Sequence, residues 1–326
     1  MEYIITLNEY RIAYQKIKQF IRDTPIINIR NNVFLKQESK QVTGSFKWSG
    51  VLYSVMKTFD EILIHKTSPY FLITQSTGNH GIAVIASVNL MIEYYSKLYP
   101  DLIHVWKNIT PGIFANQYIK PNKLEKMKRY LQKFKYNNRI FIDNSFKNYK
   151  ESLIARTEFL KKNKGKYIEH GGKDIMTGYG SIAFSIDKHF PKGKSIAFYS
   201  AIGAGGPLGI SLCLSLLRKS EIVVSQTENF DAFIKSFKNK DGEIFENTGE
   251  KVPNISNGIA VDKPEKYALK VGKKIIDKAI VVKNNEVINK QKKVKLGGSS
   301  CIALTALDTY FTDTDYIVVL DCEGNT

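Results

Sequence analysis

The alternation of strand-like and helix-like segments is the feature that most limits how this 326-residue chain can fold. Short apolar runs rich in β-branched and aromatic residues repeatedly end in small residues, and a segment of helical periodicity often follows. This order predicts an α/β protein with mostly parallel sheets flanked by helices. Ligands of such sheets bind at the carboxyl ends of the strands, so the small residues there are candidate sites. We predict strands at Asn32–Lys36, Tyr70–Thr74, Ile196–Tyr199, Ile222–Ser225 and Tyr316–Leu320.

Composition places the chain among ordinary globular proteins, with 43% hydrophobic and 24% charged residues. No apolar run reaches the roughly 20 residues of a membrane span, and no basic segment leads into an apolar one at the N-terminus, so we expect neither a membrane protein nor a signal peptide. Cys213, Cys301 and Cys322 are far apart and lack metal-ligand spacing. This usage favours a reducing, cytoplasmic location over a disulfide scaffold.

The net charge of +17 allows two interpretations. It is compatible with a nucleic-acid or acidic-membrane partner, or with a composition biased toward Lys, Asn, Ile and Tyr. The lysines are scattered, and their local clusters at 126–129, 161–166 and 290–295 do not combine with aromatic residues in a known nucleic-acid module. We favour the compositional interpretation and expect no nucleic-acid partner.

A lysine follows a Gly-Ser turn and an aromatic residue in Thr43-Gly44-Ser45-Phe46-Lys47. An ordinary lysine, with a pKa of about 10.4, is a poor nucleophile at neutral pH. Burial lowers that pKa and makes the amine suitable for imine formation. This segment alone is equally compatible with a surface lysine at a helix start.

The segment Ser76-Thr77-Gly78-Asn79-His80-Gly81 lies where a predicted strand ends and a helix begins. The exposed amides of a helix N-terminus bind carboxylate or phosphate groups. Ordinary N-capping explains one of these residues but not the whole group. We therefore treat the segment as a candidate anion-binding loop.

A glycine-rich turn, Gly203-Ala204-Gly205-Gly206-Pro207-Leu208-Gly209, joins another predicted strand to a helix. Such a turn makes a nest of backbone amides suited to a phosphate. It is not a dinucleotide fingerprint, because the glycine spacing differs and no acidic residue stands at the required distance. Nor is it a P-loop, because no Gly-Lys-Ser/Thr closes it.

The three segments occur in an order that resembles the fold-type-II pyridoxal-phosphate enzymes, in particular the serine and threonine dehydratases and serine racemase. The resemblance runs over nearly the whole chain and implies a two-lobed fold like that of the tryptophan synthase β-subunit. It implies a large cofactor-binding domain formed by 1–58 and 158–326, and a small domain at 59–157. The supporting segments are Thr24–Ile26, Leu35–Glu38 with Thr43–Lys47, Ser76–Gly81, Asp174 with Gly178–Ala183, Asn257–Val261 and Cys322–Asn325.

The same resemblance implies roles for individual residues. Lys47 would hold pyridoxal 5'-phosphate as an imine and move a proton at the substrate Cα, and Thr77 stands where serine racemase has its second acid/base residue. Phe46 would pack near the cofactor ring, Asn79 would bond the ring oxygen, and Gly258 would leave one ring face open. The implied phosphate ligands are Gly203, Ala204, Gly205, Gly206 and Leu208, and the implied substrate-binding residues are Ser76, Thr77, Gly78, Asn79 and His80.

Cys322 stands at the position that faces the pyridine nitrogen in this family, where Ser or Thr is usual. A neutral partner leaves the ring nitrogen unprotonated, which favours prompt loss of a β-leaving group over a long-lived carbanion. A thiol is a weak hydrogen-bond donor, so we expect Cys322 to have the same effect on the ring nitrogen as Ser or Thr, but a weaker one. The alternative interpretation is a small buried residue with no role at the cofactor.

The predicted reaction is β-elimination on L-serine or L-threonine, with loss of the Cα proton and the hydroxyl group, followed by hydrolysis to a 2-oxo acid and ammonia. The resemblance also implies a homodimer. The sequence departs from the family pattern at Trp48–Gly50. It also departs at Lys295–Ser299, a segment that usually contains an acidic residue in the family. Ile234 stands where serine racemase would have a second metal-binding carboxylate, so we predict no required metal.

Other reactions remain open on the sequence. They are β-replacement, racemisation, and elimination by a diaminopropionate ammonia-lyase, which Lys36–Ser39 and Cys322–Thr326 somewhat resemble. A hypothesis from another class is a catalytically inactive, basic binding protein. The intact Lys47, Asn79 and glycine turn argue against it.

Overall fold

The computed structural model describes residues 4–66, 70–132, 141–247, 258–259 and 261–324. They form two compact units, one made of Met1–Gly50 with His170–Thr326 and the other of Val51–Glu169. The sequence-predicted small domain, 59–157, lies inside the second unit. Within the described residues, no helix combines the length and the apolar character needed to cross a bilayer.

Helices and strands alternate along the chain, as the sequence predicts. The helices are α1 (Leu7–Ile17), α2 (Lys47–His65), α3 (Asn79–Leu98), α4 (Ile103–Trp106), α5 (Pro121–Gln132), α6 (Tyr149–Lys162), α7 (Lys173–His189), α8 (Gly206–Leu217), α9 (Ala232–Lys238), α10 (Lys266–Ile275), α11 (Asn284–Val294) and α12 (Gly298–Thr309). The strands are β1 (Ile26–Arg30), β2 (Val33–Gln37), β3 (Tyr70–Gln75), β4 (Ile109–Asn116), β5 (Phe141–Phe146), β6 (Gly165–Tyr167), β7 (Ile196–Ala201), β8 (Ser220–Thr227), β9 (Lys278–Val282) and β10 (Tyr316–Asp321).

The first unit is built on a six-stranded sheet of order β1-β2-β10-β7-β8-β9. All neighbouring strands run parallel except β1, an edge strand that pairs antiparallel with β2. Every residue of β7 is buried, as expected for a central parallel strand covered on both faces. The predicted class, mostly parallel sheets flanked by helices, is confirmed.

A hydrophobic core of the first unit lies between this sheet and helix α12. Tyr199 of β7, Val223 of β8 and Val319 of β10 pack with Ile302 and Ala306 of α12, and all five are fully buried or nearly so. The strand-side residues alternate along the sequence, so every second side chain points to this layer. This layer fixes the carboxyl ends of β7 and β10, where the candidate residues lie.

Helices α7 and α8 are joined by a buried ion pair. The Arg218 guanidinium, just after α8, donates from Nε to Asp187 Oδ1 at 2.7 Å and from Nη2 to the Asp187 carbonyl at 2.6 Å. Burial opposes ionisation of Asp187, but hydrogen bonds from Lys192 and Arg218 outweigh it and hold the pKa of this carboxyl below its usual value. The pair ties the end of α8 to α7, and α8 begins at the glycine-rich turn.

The second unit contains a four-stranded parallel sheet of order β5-β4-β3-β6. Helix α3 packs on it, with Ile82 and Ile85 in a cluster that includes Ile113 of β4 and Met127 of α5.

Several boundaries differ from the predicted ones by one to two residues. Strand β8 starts at Ser220 rather than Ile222, and β7 continues to Ala201. Backbone pairing decides both: Ser220 pairs with Ile196, and Ala201 pairs with Ser225. Hydrophobic pattern alone does not report these polar or small strand ends.

Replacing Arg218 with Ala is expected to lower the free energy of unfolding by about 3–5 kcal/mol, because the largely buried Asp187 carboxylate loses its buried guanidinium partner. Lys192→Ala removes the solvent-exposed partner of the same carboxylate and is expected to cost less than about 1 kcal/mol. Chemical denaturation at neutral pH measures both values. Equal losses for the two variants would contradict the burial argument.

The same pair predicts a pH dependence. Because the folded-state pKa of Asp187 is depressed, its stabilisation is present above the unfolded-state value of about 3.9 and is lost as the pH falls through the lower folded-state value. We expect the wild type to lose more stability than Arg218→Ala across that acid range.

Candidate active site

The Lys47 segment lies against the end of β10. The Phe46 backbone N–H donates to the Cys322 carbonyl at 3.0 Å, and Ser45 forms an isolated bridge with Glu323. Gly44 turns the chain here with a φ of +78°, a conformation that favours glycine. The turn delivers Lys47 to the first position of α2.

The amine of Lys47 is desolvated, which disfavours its charged form. Its side chain is partly buried, and Nζ lies 4.4 Å from the centroid of the Phe46 ring. Burial lowers the pKa of Lys47 below its usual value, while Cys322, Glu323 and Glu265 act in the opposite direction. A lysine amine with a depressed pKa is a better nucleophile at neutral pH.

The glycine-rich turn follows β7 and leads into α8 at Gly206. Gly203, Ala204 and Gly205 are buried, and among the described residues no protein acceptor receives a hydrogen bond from their backbone N–H groups. No side chain caps α8 at Gly205. Buried backbone donors require an acceptor, so the turn fits an oxyanion such as a phosphate.

The donors of this turn come mainly from its first residues. The Leu208 N–H donates to the Gly205 carbonyl at 3.1 Å, so any further bond from Leu208 would be shared. Pro207 has no N–H. The turn is also tightly packed: a Cβ on Gly203 would lie 2.7 Å from the Ile259 Cα, and one on Gly206 would lie 2.7 Å from the Phe46 ring.

Phe46 therefore connects the lysine segment to the glycine-rich turn. Its ring is close to Gly206 and lies 5.1 Å, centroid to centroid, from the ring of Tyr179 on α7. The lysine, the aromatic ring and the amide nest thus lie together in one unit. The segment 178–183, which resembles the family, is part of α7 behind this ring.

Cys322 is buried at the end of β10. Its backbone N–H donates to Ser300 Oγ at 3.1 Å, and its thiol lies 3.7 Å from the Leu320 carbonyl. Burial, with the nearby Glu323 and Asp321 carboxylates, raises the pKa of Cys322 well above its usual value. The thiol is therefore neutral at physiological pH.

Gly258 lies beside the same strand end. A Cβ there would be 2.0 Å from Ser299 Oγ, so the packing leaves no room for a side chain. Its predicted neighbours Asn257 and Ala260, and Asn325 after Glu323, lie outside the described residues.

Two carboxylates near Lys47 were not predicted as site residues. Glu323 Oε1 lies 3.5 Å from Ser299 Oγ, so an acidic group stands beside the segment 295–299 although that segment lacks one. Glu265 accepts a hydrogen bond from the His170 N–H at 3.3 Å and lies next to Gly171, which contacts Gly205. Glu323 could have been identified from the sequence, because it directly follows Cys322. Glu265 lies in no recognisable motif.

The candidate anion-binding loop is in the second unit, between β3 and α3. Ser76 Oγ accepts hydrogen bonds from the Gly78 and Gly81 N–H groups, each at 3.1 Å, and so shapes the helix start. Thr77 is partly buried, and space beside Gly78 is open to 4 Å. The buried His80 places Nε2 3.2 Å from the Ile168 carbonyl, which ties the loop to the chain after β6.

Asn79 has a partner that the sequence did not indicate. Lys123, in the first turn of α5, donates from Nζ to Asn79 Oδ1 at 2.6 Å. Lys123 belongs to a run of lysines with no recognisable motif, so only the packing of α5 against α3 identifies it.

Known proteins with similar chains or folds include enzymes named for amino acids. The catabolic L-threonine dehydratase TdcB of Staphylococcus aureus (strain USA300) is 27% identical over 302 residues, which are 89% of this chain and 77% of that protein. Maize serine racemase superposes with a TM-score of 0.76 at 19% identity, covering 99% of this chain and 94% of that one. Diaminopropionate ammonia lyase from Escherichia coli gives a TM-score of 0.75 at 14% identity, covering 99% and 90%. The two structural likenesses concern the fold.

The family model described as pyridoxal-phosphate dependent enzyme matches residues 17–323. This range contains every candidate residue described above, in both units. The buried amide nest and the lysine of depressed pKa agree with the chemistry of that cofactor, which carries a phosphate and an aldehyde. The chain belongs to the family of pyridoxal-phosphate dependent enzymes.

Proposed function

We propose that this enzyme removes the Cα proton and the β-hydroxyl group of L-serine or L-threonine as water, and that hydrolysis of the released enamine gives a 2-oxo acid and ammonia. The observation that carries the proposal is the joint presence, in one unit, of a buried amide nest and the amine of Lys47 with a lowered pKa. The relative named L-threonine dehydratase, 27% identical over 89% of this chain, supports the choice of substrate.

When bound, pyridoxal phosphate supplies an electron sink for the Cα of the attached amino acid. The residues of the first unit then have four tasks around the cofactor. Lys47 holds the cofactor and moves the proton at Cα. The N–H groups of Gly203, Ala204, Gly205 and Gly206 bind the phosphate, with Leu208 sharing its N–H, and the Phe46 ring packs near the cofactor ring.

In the second unit, the start of α3 would bind the carboxylate of the amino acid. The helix N-terminus and the hydroxyl groups of Ser76 and Thr77 are donors suited to that anion. Asn79 would donate to the ring oxygen of the cofactor. His80 would support the loop through its contact with the Ile168 carbonyl.

Cys322 would face the ring nitrogen as a neutral group. Its raised pKa keeps the thiol protonated, so it contributes no negative charge to stabilise a protonated ring. This arrangement favours early departure of the β-substituent. Gly258 would leave one face of the ring accessible.

A second candidate reaction is elimination from an amino acid whose leaving group is an amine. Glu323 favours it, because its carboxylate near Lys47 is suited to a cationic β-substituent. Comparing 2,3-diaminopropionate with L-serine and L-threonine at equal concentrations would rank the two reactions.

We also propose a cytoplasmic homodimer. The three free, buried cysteines are compatible with a reducing compartment. Light scattering coupled to size-exclusion chromatography would measure the assembly state.

Replacing Lys47 with Ala is expected to abolish the visible absorbance of lysine-bound cofactor. It is also expected to lower 2-oxo acid formation from L-serine by at least about 10²-fold, because the proton-transfer group is lost. Lys40 is an exposed lysine of the same unit, so Lys40→Ala is the matched control. It should keep both the visible absorbance and the rate of 2-oxo acid formation. Spectra recorded with and without substrate, together with a 2-oxo acid assay, make the comparison. Failure of the wild type to bind the cofactor would overturn the proposal.

The lowered pKa of Lys47 predicts a pH dependence for cofactor capture. The neutral amine is the nucleophile, so the capture rate should rise with pH and level off above the folded-state pKa of Lys47. We expect a midpoint below the ordinary lysine value of about 10.4. Stopped-flow absorbance on apoprotein mixed with pyridoxal phosphate measures it, and a midpoint at or above that value would contradict the burial effect.

Cys322→Ser is expected to keep 2-oxo acid formation within about threefold, because a hydroxyl is another neutral partner. Cys322→Asp places a carboxylate at this position and is expected to lower elimination about tenfold, a barrier change of about 1.4 kcal/mol. Steady-state rates with L-serine, corrected for bound cofactor, test both. Equal rates in the two variants would argue against contact between Cys322 and the ring.

A further inference from the structure

A buried carboxylate, that of Asp321, stands at the end of β10 directly before Cys322. Asp321 is 1% exposed, and Ser300 Oγ of α12 donates to its Oδ1 at 2.7 Å. Ser39 Oγ, from the segment after β2, donates to its Oδ2. In the described part of the chain, hydroxyl groups alone donate to this carboxylate, although burial of a carboxylate is usually offset by a cation. The role of this arrangement follows from the residue that Ser300 also contacts.

The Ser300 hydroxyl connects the carboxylate to the backbone of Cys322. Its hydrogen is donated to Asp321, and the same oxygen accepts the Cys322 N–H at 3.1 Å. An ionised carboxylate can only accept, so the hydroxyl hydrogen is committed to Asp321 and an oxygen lone pair faces the N–H. Ser300 is fully buried, so water does not compete for either bond. The backbone of Cys322 is therefore fixed on its N–H side.

The carbonyl group of Cys322 is held as well. It accepts the Phe46 N–H at 3.0 Å, directly before Lys47. Asp321 joins the same parts of the chain a second time, because Ser39 lies between β2 and the lysine segment. Hydrogen bonds on both backbone polar groups thus set the position of Cys322 relative to Lys47. All of these residues belong to the first unit.

The backbone of Cys322 decides where its sulfur lies, whereas the S–H hydrogen can rotate. The thiol lies 3.7 Å from the Leu320 carbonyl, a long contact from which the S–H can turn to a better acceptor. The raised pKa of Cys322 comes first from burial, then from the Glu323 and Asp321 carboxylates, which disfavour another negative charge nearby. Asp321 therefore acts on both the position and the protonation of this thiol.

We propose that Asp321 is a positioning residue that, through Ser300, holds Cys322 so that its thiol donates to the ring nitrogen of the cofactor. This inference rests on the proposed function, which assigns the ring nitrogen to Cys322. A hydrogen bond from a neutral thiol leaves that nitrogen without a full positive charge. Asp321 and Ser300 thus maintain the condition that favours early departure of the β-substituent.

The test measures the nitrogen-15 chemical shift of the ring nitrogen in full-length protein loaded with ring-labelled pyridoxal phosphate. This shift reports hydrogen bonding at that nitrogen and does not depend on turnover. Cys322→Ala gives the value without a thiol donor, and Ser300→Ala should move the wild-type value most of the way toward it. Ser236→Ala is the matched control and should leave the shift unchanged. Its buried hydroxyl also accepts a backbone N–H, that of Phe245, but it lies in α9, a helix without candidate residues.

A double-mutant cycle tests whether the carboxylate acts through the serine. Asp321→Ala and Ser300→Ala should shift the nitrogen signal in the same direction, and the double variant should shift it no further than Ser300→Ala alone. In a Cys322→Ala background, neither replacement should move the signal. Asp321→Asn keeps the side-chain volume but removes one acceptor oxygen. It should shift the signal in the same direction and takes the place of Asp321→Ala if that variant does not fold.

Three outcomes would overturn the inference and leave the elimination reaction itself standing. They are additive shifts in the cycle, an effect of Ser300→Ala that persists without the thiol, and a Ser300→Ala signal equal to that of the wild type. Unfolding transitions of the apoproteins check that each variant is folded. A wild type that captures no cofactor would instead overturn the proposed function.

Discussion

Buried backbone N–H groups at the end of β7 are the constraint on which the site depends. Gly203 and Gly205 cannot accept side chains without displacing neighbours. The buried N–H groups of Gly203, Ala204 and Gly205 need an acceptor, because they lie away from water. The central position of β7, a strand buried along its whole length, fixes where these donors point. The Arg218–Asp187 pair holds the far end of α8, so the helix that starts at the turn is anchored at both ends.

The second constraint is the balance of charge around Lys47. Burial favours the neutral amine, but Glu323 and Glu265 favour the ammonium, and the net result is a lowered pKa. Neutral Cys322 keeps a further charge out of this region. The amine is thus prepared for imine formation without becoming isolated from acidic groups, which agrees with a residue that both holds a cofactor and moves a proton.

The strands and the main motifs were predictable because they depend on local patterns. Apolar periodicity located β2, β3, β7, β8 and β10 to within one or two residues, and small residues after the strands indicated the turn at Gly203. Glu265 and Lys123 were not predictable, because neither lies in a recognisable pattern. Glu323 was visible beside Cys322 but had no assigned role, since its proximity to Ser299 comes from pairing of distant segments.

The sequence by itself determined the fold class, the order of the motifs and the residue types that cofactor chemistry needs: a lysine, a glycine-rich turn and an asparagine at a helix start. Those properties follow from backbone preference and side-chain chemistry, which are local. Only the tertiary structure decided the pKa direction of Lys47, the raised pKa of Cys322 and the contact of Asn79 with Lys123. Each of these properties depends on burial and on contacts between residues that are far apart in the sequence. Such contacts form only when the helices and sheets pack.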